Sequence, residues 1–216
     1  MSAHHDHTGD HNHDHGSPEA AQDPKYRKIL WFALIVNAAM FAIELGAGFR
    51  SGSVSLLADA IDFLGDAANY GVSLAVLTMA MVWRSKAALL KGFCMLGFGL
   101  FVLARAFWVA QTGAVPEAGT MGMIGFLALT ANVAVALLLY NYRTGDANMR
   151  SVWLCSRNDA FGNIAVMLAA LGVFGTGTAW PDLAVATGMA GLAIWGGWSV
   201  IQHARLELKA VELSHD

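Results

Sequence analysis

Apolar residues come in long blocks along this chain, not in the narrow stripes typical of helices on a soluble surface. Six blocks run from Ile29 to Phe49, Val54 to Trp83, Ala87 to Gln111, Met121 to Tyr142, Val152 to Phe174 and Leu183 to Gln202. A hydrocarbon layer about 30 Å thick needs roughly 20 helical residues at about 1.5 Å each, and every block is of that order. The breaks between them carry turn chemistry: Arg50-Ser51-Gly52-Ser53, Arg84-Ser85-Lys86, Thr112-Gly113 to Gly119-Thr120, Arg143-Thr144-Gly145-Asp146, and Gly175-Thr176-Gly177 to Pro181-Asp182. The pattern predicts an all-α membrane protein of six transmembrane helices. It divides the chain into an arm over residues 1–24, a six-helix domain over 25–203 and a short tail over 204–216, with no room for a further soluble domain.

Composition agrees with this reading. With 56% hydrophobic residues, 13% charged residues and a mean hydropathy of +0.49, the chain is too apolar for a water-soluble enzyme. Thirteen Lys and Arg against sixteen Asp and Glu leave no basic footprint for a nucleic-acid partner. Cys94 and Cys155 lie inside apolar blocks, and no CxxC pair is present, so neither a disulfide framework nor a thiolate zinc motif is expected.

Lys and Arg near span ends favour the cytoplasmic side. Lys25, Arg27, Lys28, Arg84, Lys86, Lys91, Arg143, Arg150, Arg205 and Lys209 fall on the side of both termini, against Arg50 alone opposite. Both termini are therefore predicted to be cytoplasmic. Arg105 and Arg157 fall within spans and need partners; for Arg157 the sequence leaves Glu44, Asp59 and a snorkelled position open.

Residues 1–24 hold six of the eight histidines and no apolar cluster. The arm is predicted to be disordered, and without a cleavable apolar leader the first span acts as the targeting element. His4, His5, His7, His11, His13 and His15, interleaved with Asp6, Asp10 and Asp14, make a weak auxiliary metal buffer; the interleaving sets the arm apart from a uniform affinity tag.

Ionisable groups within the spans carry the chemistry, since each costs about 2.5–3.5 kcal/mol to insert. In the second span Asp59, Asp62, Asp66 and Asn69 fall within an arc of about 80° at about 100° per residue. Asp62 and Asp66 are four apart, so their carboxylates share one face and can reach one ion. Two bare carboxylates that close repel unless a cation sits between them, the behaviour of a metal site that exchanges with protons. The alternative is a set of packing groups bonded to neighbouring spans. In the fifth span Cys155 and Asp159 repeat the spacing, with Gly162 on the same face. Asp66 and Asp159 both lie roughly 10–18 Å inside their spans, near the midplane, so antiparallel packing brings the pairs level.

Three carboxylates and one thiolate suit a tetrahedral dication. The thiolate favours Zn²⁺ or Cd²⁺ over Mg²⁺ and Ca²⁺, with Co²⁺, Ni²⁺, Fe²⁺ and Mn²⁺ behind. Cys155 is alternatively a small buried hydrophobe, with Asn158 or water completing the shell. Glu44, Asp59, Asn69 and Asn158 are the supporting polar groups. No prosthetic group is expected.

The run ELGAGFRSGSVSLLADAIDFLGDAAN, from Glu44 to Asn69, resembles the first loop and second helix of the cation diffusion facilitator family, and the run NMRSVWLCSRNDAFGNIAV, from Asn148 to Val166, resembles its fifth helix. The resemblance implies a homodimeric secondary transporter that exports divalent metal, most often Zn²⁺, in exchange for protons. Carried over by position, the family's ligands become Asp62 and Asp66 with Cys155 and Asp159. Cys155 departs from the usual His or Asp, which implies a softer selectivity or a three-ligand site. Family members usually continue into a cytoplasmic metal-binding domain that helps them dimerise, where here only HARLELKAVELSHD follows; the dimer is then expected to rest on membrane helices.

The expected mechanism is alternating access around a midplane site, with metal binding linked to proton release. A metal channel or sensor without proton coupling is the alternative. An intramembrane aspartyl protease is disfavoured, because Phe63-Leu64-Gly65-Asp66 stands where a Gly-x-Gly-Asp motif is needed. No organelle signal is present, as in a protein of a prokaryotic cytoplasmic membrane.

Overall fold

The computed structural model describes residues 24–75, 81–143 and 147–213. Its helices are α1 (Pro24–Ser51), α2 (Val54–Ala75), α3 (Met81–Thr112), α4 (Ala118–Leu139), α5 (Ala147–Thr176) and α6 (Trp180–Leu213), with one 3-10 turn at Tyr140–Tyr142 and no strand among the described residues. α1, α3, α4, α5 and α6 are long and apolar enough to cross a membrane, which defines an integral membrane protein. α2 is not counted with them, and it is the helix that carries Asp59, Asp62 and Asp66.

The packing explains how such a helix is tolerated. α1 lies along α2, α4 along α5 and α3 along α6, while α2 also touches α3, α5 and α6. Val54, Leu57 and Ile61 of α2 pack with Val102 and Val109 of α3 and Leu183 and Ala186 of α6. Leu56, on another side, meets Met121 of α4 and Val166 and Val173 of α5. Phe63 meets Met40 and Ala128, and Tyr70 meets Tyr26, Leu30 and Leu139. α2 is thus packed on several sides by protein, which buries Asp59 and Asp66. The other helices present Trp31, Phe126, Leu137, Leu168 and Trp195 outward, the apolar exterior a bilayer requires.

α3 and α6 approach until their backbones touch. A Cβ added at Gly197 would lie 2.8 Å from the Gly92 carbonyl oxygen, and one at Gly92 would lie 2.9 Å from that of Gly197. Small residues at this crossing permit the close van der Waals packing that holds membrane helices together.

Several boundaries differ from those read off the sequence. α2 ends at Ala75, and Trp83 belongs to α3, as do Arg84, Ser85 and Lys86. Arg and Lys are good helix formers, and charge alone does not end a helix; the Lys86 ammonium sits 4.9 Å from the Trp83 ring, one turn away. Residues 76–80, between these two helices, lie outside those described. Ala118 to Thr120 open α4, and Pro181 and Asp182 stand in the first turn of α6, where proline's missing N–H costs nothing. α6 continues past Gln202 to Leu213.

Candidate ion-binding site

The start of α2, the helix that carries the aspartates, is held by a residue that the sequence reading treated only as part of a turn. Gly52, at φ 74°, reverses the chain after α1. The Ser53 hydroxyl then accepts the Leu56 N–H at 3.2 Å. The fully buried Asp182 of α6 accepts Val54 N–H at 2.8 Å, Ser55 N–H at 3.0 Å, Ser53 Oγ at 2.7 Å and Ser55 Oγ at 2.6 Å. The first amides of α2, which have no partner inside the helix, are thereby satisfied, two of them by a charge from another helix.

Further along α2 the four-residue stripe fans out to different partners. Asp59 faces α1 and α5: Asn163 Nδ2 donates to its Oδ2 at 2.7 Å, and Asn132 Nδ2 of α4 donates to Asn163 Oδ1 at 2.9 Å. Glu44 of α1 lies against Asp59, and both its carboxyl oxygens are buried without a donor. Asp62 is half-buried and lines a cavity of about 560 Å³ between α2, α5 and α6, together with Asn158 and Asp159. Met95 and Met189 form apolar walls, and Gly162 borders the same space.

Asp66 meets Asp159 of α5 within hydrogen-bonding reach. Two carboxylates in that position repel unless a proton or a cation lies between them. Tyr70 donates to Asp66 Oδ2 at 3.3 Å, and its oxygen lies 2.6 Å from Ser156 Oγ of α5, so Tyr70 fixes the spacing of the two helices. The half-buried Cys155 thiol is within electrostatic reach of Asp66 and Asp159. Asn69 accepts a hydrogen bond from Lys91 Nζ of α3.

Asp66 and Asp159 thus meet between α2 and α5, with Asp62 on the adjoining cavity and Cys155 within electrostatic reach. Among the described residues, however, no three His, Cys, Asp or Glu side chains are close enough to clasp a metal as they stand. Glu44 and Asp59 form a separate polar chain with Asn163 and Asn132. Asn158 is exposed at the cavity rim and accepts Arg157 Nη2 at 3.2 Å. Arg157 pairs with neither Glu44 nor Asp59; its guanidinium lies 5.1 Å from the Trp153 ring. His4, His5, His7, His11, His13 and His15 lie outside the described residues.

Sequence reasoning missed Asp182, Tyr70, Ser156, Asn163, Asn132 and Lys91. Asn132 in the apolar block of α4 and Asn163 in that of α5 were a usable signal, because an amide there needs a partner. Lys91, assigned above to the cytoplasmic rim, lies well inside α3 and faces the carboxylates.

A membrane bundle whose central helix carries three aspartates and meets a fourth from a facing helix has the build of an ion-handling membrane protein. Residues 30–208 match the cation efflux transmembrane domain, and the chain belongs to that family. It is 27% identical over 208 residues to the cadmium, cobalt and zinc/H(+)-K(+) antiporter of Bacillus velezensis, covering 88% of this chain and 63% of that protein. It is 26% identical over 211 residues to the zinc transporter ZitB of Escherichia coli, covering 92% of this chain and 67% of the relative. With the metal cation efflux system protein CzcD of Cupriavidus metallidurans it shares 24% identity over 189 residues, 82% of this chain and 57% of that one. The chain therefore spans less than two thirds of the Bacillus relative's length.

Proposed function

We propose that this protein is a secondary transporter that exports a divalent metal cation from the cytosol in exchange for protons. The cation would be held by Asp62, Asp66 and Asp159, with Cys155 as the fourth ligand. The observation that carries the reading is the meeting of Asp66 and Asp159 across two helices, beside a cavity that Asp62 also lines. The family and the names of the relatives support metal export.

In this reading all six helices cross a prokaryotic cytoplasmic membrane with both termini in the cytosol, and two copies form a dimer. Facing inward, the carboxylates give up protons as the dication binds, because metal ligands must be deprotonated. Facing outward, protons displace the metal. The thiol of Cys155 favours Zn²⁺ or Cd²⁺, with Co²⁺ next. The histidine arm serves as a weak metal buffer.

The test is uptake of Zn²⁺, Cd²⁺ or Co²⁺ into proteoliposomes under an imposed pH gradient, with lumenal metal and pH read together and with K⁺ present or absent. Metal entry with coupled proton exit, lost in Asp159→Ala, is expected. Metal entry indifferent to the pH gradient would make the protein a channel, and intact transport in Asp66→Ala would remove the centre of the reading.

A further inference from the structure

Lys91 is not used by the mechanism above, yet it stands beside the carboxylates. It is half-buried in α3, and its ammonium donates to Asn69 Oδ1, one helical turn along α2 from Asp66. Its stem crosses α2 where Gly65 leaves the surface bare; a Cβ there would touch Lys91 Cε at 3.8 Å. The groups that face the ammonium are Asp66, Cys155, Asp159 and Asp62. Other cations are turned away, with Arg157 on Trp153 and Lys86 on Trp83. Lys91 also lines a cavity of about 480 Å³ between α2, α3 and α6, where the polar lining among the described residues is Asn69, Lys91 and Cys94.

We propose that Lys91 is a tethered counter-cation that sets the charge, and hence the ion preference and affinity, of the Asp62, Asp66 and Asp159 site. This rests on the transport reading and its ligand set. Three carboxylates and the Cys155 thiolate carry four negative charges when they bind; one fixed ammonium reduces the cluster to three, closer to what one dication cancels. An arriving dication is repelled by Lys91, so it binds more weakly than three carboxylates alone would hold it, which suits a site that must also release its ion. The flexible four-carbon stem can turn into the adjoining cavity as the dication enters. Lys91 is a positioning and specificity residue here, and it takes no part as a ligand.

The test is Cd²⁺ binding to the purified full chain in nanodiscs at one fixed neutral pH, followed by titration calorimetry, for wild type, Lys91→Arg, Lys91→Met and Lys91→Gln. Removing one charge several ångströms from a dication in a partly screened interior should tighten binding about tenfold or more in Lys91→Met. Lys91→Gln, which keeps a donor for Asn69 but no charge, should behave alike, while Lys91→Arg should stay near wild type. In proteoliposomes the two neutral variants should release Cd²⁺ more slowly. Unchanged or weaker binding in both neutral variants, with wild-type binding intact, overturns the proposal alone. Absence of Cd²⁺, Zn²⁺ and Co²⁺ binding in every form, wild type included, overturns the transport reading and this inference together.

Discussion

Asp182 offers the sharpest energetic test, because one carboxylate receives four hydrogen bonds at the start of α2. Asp182→Asn keeps the shape but removes the charge and turns one acceptor into a donor that faces donors. Hydrogen bonds to a charged group contribute about 1.5–3 kcal/mol each, and a charge at a helix N-terminus adds about 0.3–1 kcal/mol. Bonds that share one carboxylate do not add in full, so the expected loss is about 3–4 kcal/mol. For a chain of this size each kcal/mol lowers the melting temperature by about 2–4 °C, giving a drop of roughly 6–16 °C. Thermal unfolding in detergent, followed by tryptophan fluorescence, measures it. Glu117→Gln is the control: Glu117 accepts a single exposed bond from Thr120 at 2.8 Å, and its loss should shift melting by no more than about 1 kcal/mol. If Asp182→Asn melts within about 2 °C of wild type, or no lower than Glu117→Gln, then Asp182 does not hold the end of α2 and the reasoning fails.

Gly197→Ala places a Cβ 2.8 Å from the Gly92 carbonyl oxygen and 3.1 Å from Leu96 N, both backbone atoms, so α3 and α6 must separate; a loss of about 1–3 kcal/mol in the same melting assay is expected. Asn163→Leu leaves the Asp59 carboxylate and the Asn132 amide without their partners, a loss of about 1–3 kcal/mol; unchanged melting would mean that water replaces the asparagine. Tyr70→Phe should keep the fold but loosen the setting of Asp66 against α5. Outer groups that orient metal ligands are worth about 10–100-fold in affinity, and Cd²⁺ calorimetry should show a weakening in that range.

The helical fold and the rank of α2 were legible in the sequence, because block length and the spacing of Asp59, Asp62, Asp66 and Asn69 depend only on helix geometry. What the stripe could not reveal was that each member looks to a different neighbour. Asp59 turns to Asn163, Asp62 to the cavity, Asp66 to Asp159 and Asn69 to Lys91. Partners supplied from distant helices depend on packing, which spacing within one helix does not encode. Asp182 was misread for the same reason: it is 127 residues from Ser55, and beside a proline it looks like turn chemistry. The boundary between α2 and α3 was misplaced because the apolar residues before Met81 contain no turn-forming residue, whereas Arg84 and Lys86 drew the break to themselves.

The packing of α2 also bears on how the protein enters the membrane. Three aspartates at about 2.5–3.5 kcal/mol each oppose lateral release of this segment into lipid by roughly 8–10 kcal/mol, more than its leucines, isoleucine and valines readily offset. α1, which lies along α2 and contributes Glu44 beside Asp59, emerges from the ribosome first and is apolar enough to insert alone. Insertion of α2 is therefore expected to depend on a helical hairpin with α1, which would shelter Asp59 from the moment the segment leaves water.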